Sequence, residues 1–192
     1  MPEKKLTING RHGAIKYNDF QTDLHYSLDL SDEKLLDEFY MTKFPFAQSV
    51  ETVSYGANKI NRELQEKGVD KIIRCSNGNV FTIDEKKRRK DYGDILIELW
   101  KNKEQHKLGW LFYSQCDYIV YAVIGADKIY LLPTLLLQMA WKTNGTNWLK
   151  QYPLKKADNI YYKTVNIAIP TNILITAMQN EMQHSLFAEI IL

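Results

Sequence analysis

The spacing of apolar positions changes period partway along the chain. Ser31, Asp32 and Glu33 lead into Leu35, Leu36, Phe39 and Tyr40, which predicts a capped amphipathic helix with acidic residues where the helix dipole favours them. Val50, Val53, Ala57, Ile60 and Leu64 keep helical spacing, predicting a second helix from about Ala47 to Lys67 that Gly68 ends. After Gly68 the pattern becomes strand-like. Asp70–Cys75 (DKIIRC) and Asn79–Lys87 (NVFTIDEKK) read as strands joined by Ser76-Asn77-Gly78, a hairpin signal. A third strand is expected over Asp94–Trp100 (DILIELW) after a basic loop. Further strands follow at about Asp117–Val123 and Lys128–Leu132, flanking Gly125-Ala126-Asp127, and then a helix from Thr134 to about Lys142. The tail offers a strand over Thr164–Ile169 and a helix starting at Thr171, just after Pro170. Near the start, Asn9-Gly10 between short apolar stretches suggests a small hairpin or an irregular arm.

This order of elements predicts an α/β fold, a mixed β-sheet flanked by helices. At 192 residues and 45% hydrophobic, the chain can build one real core. The expectation is a single domain over 1–192. Its core spans about 47–142, preceded by an N-terminal arm and helix (1–46) and followed by a strand-helix extension (143–192). No internal repeat or low-complexity linker interrupts it. The longest apolar run, Ile129–Trp141, contains Pro133 and Gln138 and is too short to span a bilayer. Met1–Leu6 is polar and lysine-bearing with no apolar run, so a cytoplasmic protein with no membrane partner is expected. Cys75 and Cys116 lack metal-ligand spacing and read as reduced core residues. Asn144-Gly145-Thr146 reads as a turn.

A net charge of +2 excludes a strongly basic nucleic-acid coat protein, so any DNA contact must be local. Two carboxylates converging on a hard cation, plus a group that handles the attacking water, are what metal-dependent phosphodiester hydrolysis needs. Asp84 and Lys86 are two apart on one strand and leave the same face. If Ser76-Asn77-Gly78 is a three-residue loop with Gly78 left-handed, Cys75 faces Asn79 and Asp70 comes opposite Asp84. If Asn77-Gly78 is instead a two-residue turn, the register slips by one and Asp70 faces Glu85, with Lys87 in place of Lys86. Both readings leave Asp70 beside an acid-x-lysine pair. Taken alone, Asp84-Glu85-Lys86-Lys87 reads as a solvated strand end; the hairpin and the element order argue for more.

An aspartate followed 14 residues on by Asp84-Glu85-Lys86, with a hairpin between and a helix before, resembles the core of the PD-(D/E)XK, or restriction endonuclease-like, nuclease superfamily. The likeness covers roughly residues 47–142, although Val69 rather than proline precedes Asp70. The resemblance implies a restriction endonuclease-like mixed sheet and a Mg²⁺-dependent deoxyribonuclease, with Mn²⁺ as a substitute cation. It implies Asp70 and Asp84 as metal ligands and Lys86 as the group holding the attacking water or the scissile phosphate. A helix glutamate in many relatives points to Glu51, which flanks the apolar stripe, over Glu63, which lies almost opposite it. Glu98, an acid inside the apolar third strand, is expected near the metal or Lys86, or in a buried salt bridge. DNA is the expected partner, and analogy allows a homodimer. The alternative is a catalytically inactive protein of the same fold that binds DNA or a protein.

Lys86 to Arg89 and Lys90 form five consecutive cations, of which Lys87, Arg88, Arg89 and Lys90 would meet phosphates flanking the cut. Trp148, Lys150, Tyr152, Lys155 and Lys156 interleave aromatics with lysines, a pattern that stacks bases or seals a core edge. Leu108-Gly109-Trp110 reads as turn and core packing. His12, His25, His106 and His184 are scattered, disfavouring zinc and histidine-based chemistry. No phosphate-binding glycine motif is present, so no nucleotide cofactor is expected.

Overall fold

Two sheets and five helices organise the described residues of the computed structural model, which are 30–54, 58–158 and 163–186. The first sheet has five strands in the order β1 (Ala47–Thr52), β2 (Lys71–Cys75), β3 (Val80–Arg88), β6 (Tyr118–Val123) and β7 (Lys128–Pro133). All its pairings are antiparallel except β3 with β6, which run parallel from Ile83↔Tyr118 to Arg88↔Val123. A parallel pair needs a long crossover. Here the crossover carries β4 (Asp94–Asn102), β5 (Lys107–Leu108) and a short helix, α3 (Trp110–Tyr113). Strands β4 and β5 join β8 (Leu154–Asp158) and β9 (Lys163–Pro170) in an antiparallel sheet ordered β5-β4-β9-β8.

The sequence pattern suggests one mixed sheet, and in that respect the molecule differs. The third strand pairs with β9 through Ile95↔Ile169 and Ile97↔Ile167 and leaves the neighbouring edge of β3 to β6. Burial explains the choice. β6 (YIVYAV) is buried at five of its six positions and suits an interior strand. β4 buries Ile95, Ile97 and Leu99 on one face only, which suits a sheet with one covered side.

A 14-residue helix, α1 (Leu30–Lys43), covers one face of the five-stranded sheet. Its Leu36 and Tyr40, with Phe44 just beyond its end, pack with Ile73, Ile83, Val120 and Ala122. Phe44 also meets the rings of Phe81 and Tyr118 at 5.0 and 5.4 Å. The opposite face joins a larger core between the sheets, with Ile119 and Tyr121 against Ile95, Ile97 and Ile167. That core is closed by α4 (Thr134–Gln151) and α5 (Thr171–Leu186). Each fully buried aliphatic or aromatic side chain contributes about 1.5–3 kcal/mol, so these two clusters hold the sheets in place.

The expected helix over Ala47–Lys67 is a strand followed by one short helix, α2 (Lys59–Glu66), capped by Asn58 accepting from the Asn61 amide at 2.8 Å. The apolar stripe misled because its members serve different faces. Val50 packs in the α1 cluster, Val53 is buried in the larger core, and Ile60 is 68% exposed. At the other end of the domain, α4 continues to Gln151, so Asn144-Gly145-Thr146 is helical rather than a turn. Gly145 is tolerated there because a Cβ would come within 2.9 Å of the Trp141 ring that lies over it. The strand and helix expected after residue 163 are present as β9 and α5. The Asn9-Gly10 arm, His12 and His25 lie outside the described residues. Among the described residues, no helix is long and apolar enough to cross a membrane. Cys75 and Cys116 are buried free thiols.

Candidate active site

Register decides what the hairpin brings together. β2 and β3 pair as Lys71↔Ile83 through Arg74↔Val80. The turn closes with the Cys75 amide donating to the Asn79 carbonyl at 2.9 Å and the Gly78 amide to the Cys75 carbonyl at 3.0 Å. Gly78 has φ +87°, the left-handed value that a bulged three-residue loop requires. Of the two registers the sequence permits, this is the one that sets Asp70 across from Asp84. The Asp70 carboxylate accepts the Glu85 backbone amide at 2.8 Å, which fixes it beside β3 just before β2 begins.

Asp84 and Lys86 point to the face of β3 opposite α1. The Asp84 side chain is buried, and its Oδ1 is ion-paired with the Lys86 ammonium. Its Oδ2 is buried without a hydrogen-bond partner. Against that oxygen lies Gly68, with φ +80°, where a Cβ would stand 3.1 Å from Oδ2 and 3.0 Å from Ser114 Oγ. A buried carboxylate oxygen with no donor is costly, and each such atom requires an explanation. Burial is the main cause that pushes the Asp84 carboxyl up to about 6; the Lys86 charge opposes it and the Asp70 charge raises it further. For Lys86, burial disfavours the ammonium, yet the charges of Asp84 and Asp70 outweigh it and hold the pKa above the usual lysine value.

Glu98 comes to the same place from the second sheet. Burial raises its pKa first, and the Lys86 charge and the Trp110 backbone amide lower it in turn. A β-bulge between Glu98 and Trp100 interrupts the β4–β9 ladder there, a device that re-aims side chains beside functional sites. Gly109 makes the approach of α3 possible, since a Cβ on it would fall 2.1 Å from the Glu98 carbonyl oxygen. Leu108-Gly109-Trp110 is therefore a clasp on Glu98 as well as core packing. Tyr113, at the end of α3, completes the group. Its phenol is raised first by burial and then feels the charges of Lys86, Asp84 and Glu98, and Lys101 lies 6.0 Å from its ring centroid. The sequence gives no sign of Tyr113, because only the crossover returns α3 to β3.

Glu51 lies elsewhere. It is an exposed residue of β1, opposite Ile72, and its carboxylate binds Arg74 Nε at 2.6 Å. Because the expected helix is a strand here, Glu51 is corrected from a candidate catalytic residue to a surface ion pair. Glu63 is exposed on α2, 3.8 Å from Lys59.

The basic run is not a free loop either. Lys86, Lys87 and Arg88 belong to β3. The Lys87 side chain is buried on the α1 face, 3.8 Å from Glu85. Arg88 is half-buried, ion-paired with Asp94 and 4.5 Å from the centroid of the Tyr92 ring. Arg89 and Lys90 are exposed, with the Lys90 ammonium 5.2 Å from the same ring centroid. Trp148, grouped by sequence with the lysines around it, is a core residue, 4% exposed and 6.0 Å from Trp141.

The α1 face of β3 holds a separate polar set. Glu85 accepts from the Tyr40 hydroxyl at 2.8 Å. Burial first, and then the Glu85 charge, push Tyr40 far above the usual tyrosine value. Lys71, 2% exposed, reaches Asp37 at 3.1 Å and Thr52 at 2.9 Å. Every polar group named in this set has a partner, in contrast to Asp84 Oδ2.

Asp70 and Asp84 supply the hard oxygen donors that a divalent cation prefers, and the unpartnered Oδ2 faces the space that Gly68 leaves by having no side chain. Among the described residues, no group of three or more His, Cys, Asp or Glu side chains is arranged to hold a metal. Two carboxylates nevertheless suit Mg²⁺, which keeps several waters and takes its remaining ligands from substrate phosphates. The donor set fits such an ion. No protein-family model, curated protein or solved structure matches the chain.

Proposed function

We propose that the chain is a divalent-cation-dependent nuclease of the PD-(D/E)XK kind, acting on phosphodiester bonds in DNA. The observation that carries this reading is the juxtaposition of Asp70, Asp84 and Lys86 across one hairpin, with a buried Asp84 oxygen that has no partner in the chain. Asp70 and Asp84 would hold Mg²⁺ or Mn²⁺. Such an ion polarises a phosphate oxygen and lowers the pKa of a bound water. Lys86, kept protonated beside the carboxylates, presents a positive charge to a phosphate oxygen or the attacking water. Glu98, held by the Trp110 amide, adds a further negative charge near the ammonium. Arg88, Arg89 and Lys90 follow Lys86 directly in the chain and Lys101 lies over the Tyr113 ring, which would give local contact to phosphates in a protein of net charge +2.

The test is incubation of the purified protein with labelled single-stranded and duplex DNA in Mg²⁺ or Mn²⁺, with a chelated control. Cutting that the chelator abolishes is the expected result. No cutting with either cation would leave the second reading, a non-catalytic module on the same scaffold. The closed Asp84–Lys86 ion pair favours that alternative.

A further inference from the structure

We infer that Tyr113 is a catalytic residue of the proposed reaction, its hydroxyl giving a proton to the sugar oxygen that leaves phosphorus. The inference deepens the nuclease reading and rests on it. Phosphodiester hydrolysis makes two proton demands. The attacking water must lose a proton, and the departing oxygen must gain one because an alkoxide leaves poorly. Asp70, Asp84 and Lys86 serve the first demand; the second falls to another group.

The backbone on either side of Tyr113 is pinned beside the carboxylates. The Ser114 amide donates to the Trp110 carbonyl at 3.1 Å, and the Gln115 amide donates to the Lys67 carbonyl at 2.8 Å. Gln138 Nε2 donates to the Ser114 carbonyl at 3.1 Å. The point that a Gly68 Cβ would occupy is 3.3 Å from Ser114 Cα and 3.1 Å from Asp84 Oδ2, and Tyr113 Cα is one peptide, about 3.8 Å, from Ser114 Cα. Neighbouring residues of a helix face different ways. Phe112 accordingly meets the Trp141 ring at 5.9 Å, while the Tyr113 ring has the Lys101 ammonium 6.0 Å from its centroid. On that side the phenol feels Lys86, Asp84, Glu98 and Asp70 together, and it is half-buried, which leaves it open to a substrate.

The phenol is a neutral group with a proton to give. Asp70 is taken by the Glu85 amide, and Lys86 by Asp84. Burial is the first cause that keeps the Tyr113 phenol above the ordinary tyrosine value, so its proton is in place at neutral pH. In the step, the water oxygen bonds to phosphorus as the bond from phosphorus to the sugar oxygen breaks. The Tyr113 proton passes to that oxygen, leaving an alcohol and a phenolate. Lys86 and Lys101 beside the ring stabilise the phenolate, and the proton given up by the attacking water, carried through solvent, restores the phenol.

The experiment compares Tyr113→Phe with the unaltered chain on two DNA substrates of one sequence, in the strand form that the unaltered chain cuts. One has the natural linkage. In the other, the bridging oxygen that leaves, identified from the product ends, is replaced by sulfur, which departs as a thiolate and needs no proton. Circular dichroism verifies folding. Expected in Tyr113→Phe are a loss of about a hundredfold on the natural linkage and a rate within about twofold of the unaltered chain on the sulfur linkage. Equal losses on both linkages, or no loss on either, would overturn the inference and leave the nuclease reading standing. No cutting of either linkage by the unaltered chain would remove the nuclease reading and the inference with it.

Discussion

Asp70 stands across the hairpin from Asp84, and the Asp70 carboxylate is tied to the next amide of β3, that of Glu85, at 2.8 Å. The pair is made by the bulged loop at Gly78, so one residue of slippage would exchange Asp84 and Lys86 for Glu85 and Lys87. The two faces of β3 therefore have separable roles. Glu85→Gln and Glu51→Ala should cut DNA at rates within about twofold of the unaltered chain, because Glu85 serves Tyr40 and Glu51 serves Arg74 at the surface. Loss of cutting in Glu85→Gln, with the fold retained, would place the chemistry on the wrong face.

Gly68 and Gly78 form a matched pair. Both have positive φ, but a Cβ at Gly78 meets nothing within 4 Å, whereas one at Gly68 meets Asp84 Oδ2 and Ser114 Oγ. Alanine at either position should cost about 1 kcal/mol or more in urea unfolding through backbone strain. Gly68→Ala alone should also weaken Mn²⁺ binding in calorimetry. Equal Mn²⁺ affinity in the two variants would show that the space beside Oδ2 does not matter.

Asp84 gives a pH dependence whose sign is fixed by burial. Its folded pKa, near 6, lies above the ordinary 3.8, so between those values the folded chain holds a proton that the unfolded chain has released. Its contribution to stability therefore declines as pH rises from about 4 to about 6, and is level above that. In metal-free protein, Asp84→Asn should gain stability relative to the unaltered chain across that window, as read from urea midpoints at several pH values. A relative loss over the same range would mean that Lys86, rather than desolvation, governs the carboxyl.

Lys71 separates structural from catalytic burial. Its ammonium is inside, yet Asp37 is 42% exposed and can return to water. Lys71→Met should be nearly neutral, while Lys71→Ala, which leaves a cavity, should cost about 2–4 kcal/mol in chemical denaturation. Neither should alter cutting once the protein is folded. A large cost in Lys71→Met would assign the stability to the ion pair instead of the packed stem.

Short-range chemistry carried most of what the sequence revealed. The Ser76-Asn77-Gly78 turn, the two-residue spacing of Asp84 and Lys86, and the α/β order of elements are local properties, and the mixed α/β architecture follows them. Glu98 was legible as an acid among apolar neighbours. The register itself was not legible, because both turns suit Asn-Gly; only the φ of Gly78 and the ladder distinguish them. Periodicity failed where one segment serves two cores, which turned β1 into an apparent helix and made Glu51 a candidate. Tyr113, Gly68 and the Gly109 clasp depend on contacts brought together by the β3-to-β6 crossover, which no local pattern encodes.

The central claim is tested most directly by the cutting rate of the Asp84→Ala/Lys86→Ala double variant. It should be compared with the unaltered chain on the same DNA in saturating Mg²⁺, with folding verified by circular dichroism. Chelator-sensitive cutting by the unaltered chain and at least a hundredfold loss in the folded double variant are expected. Undiminished cutting by that variant would contradict it.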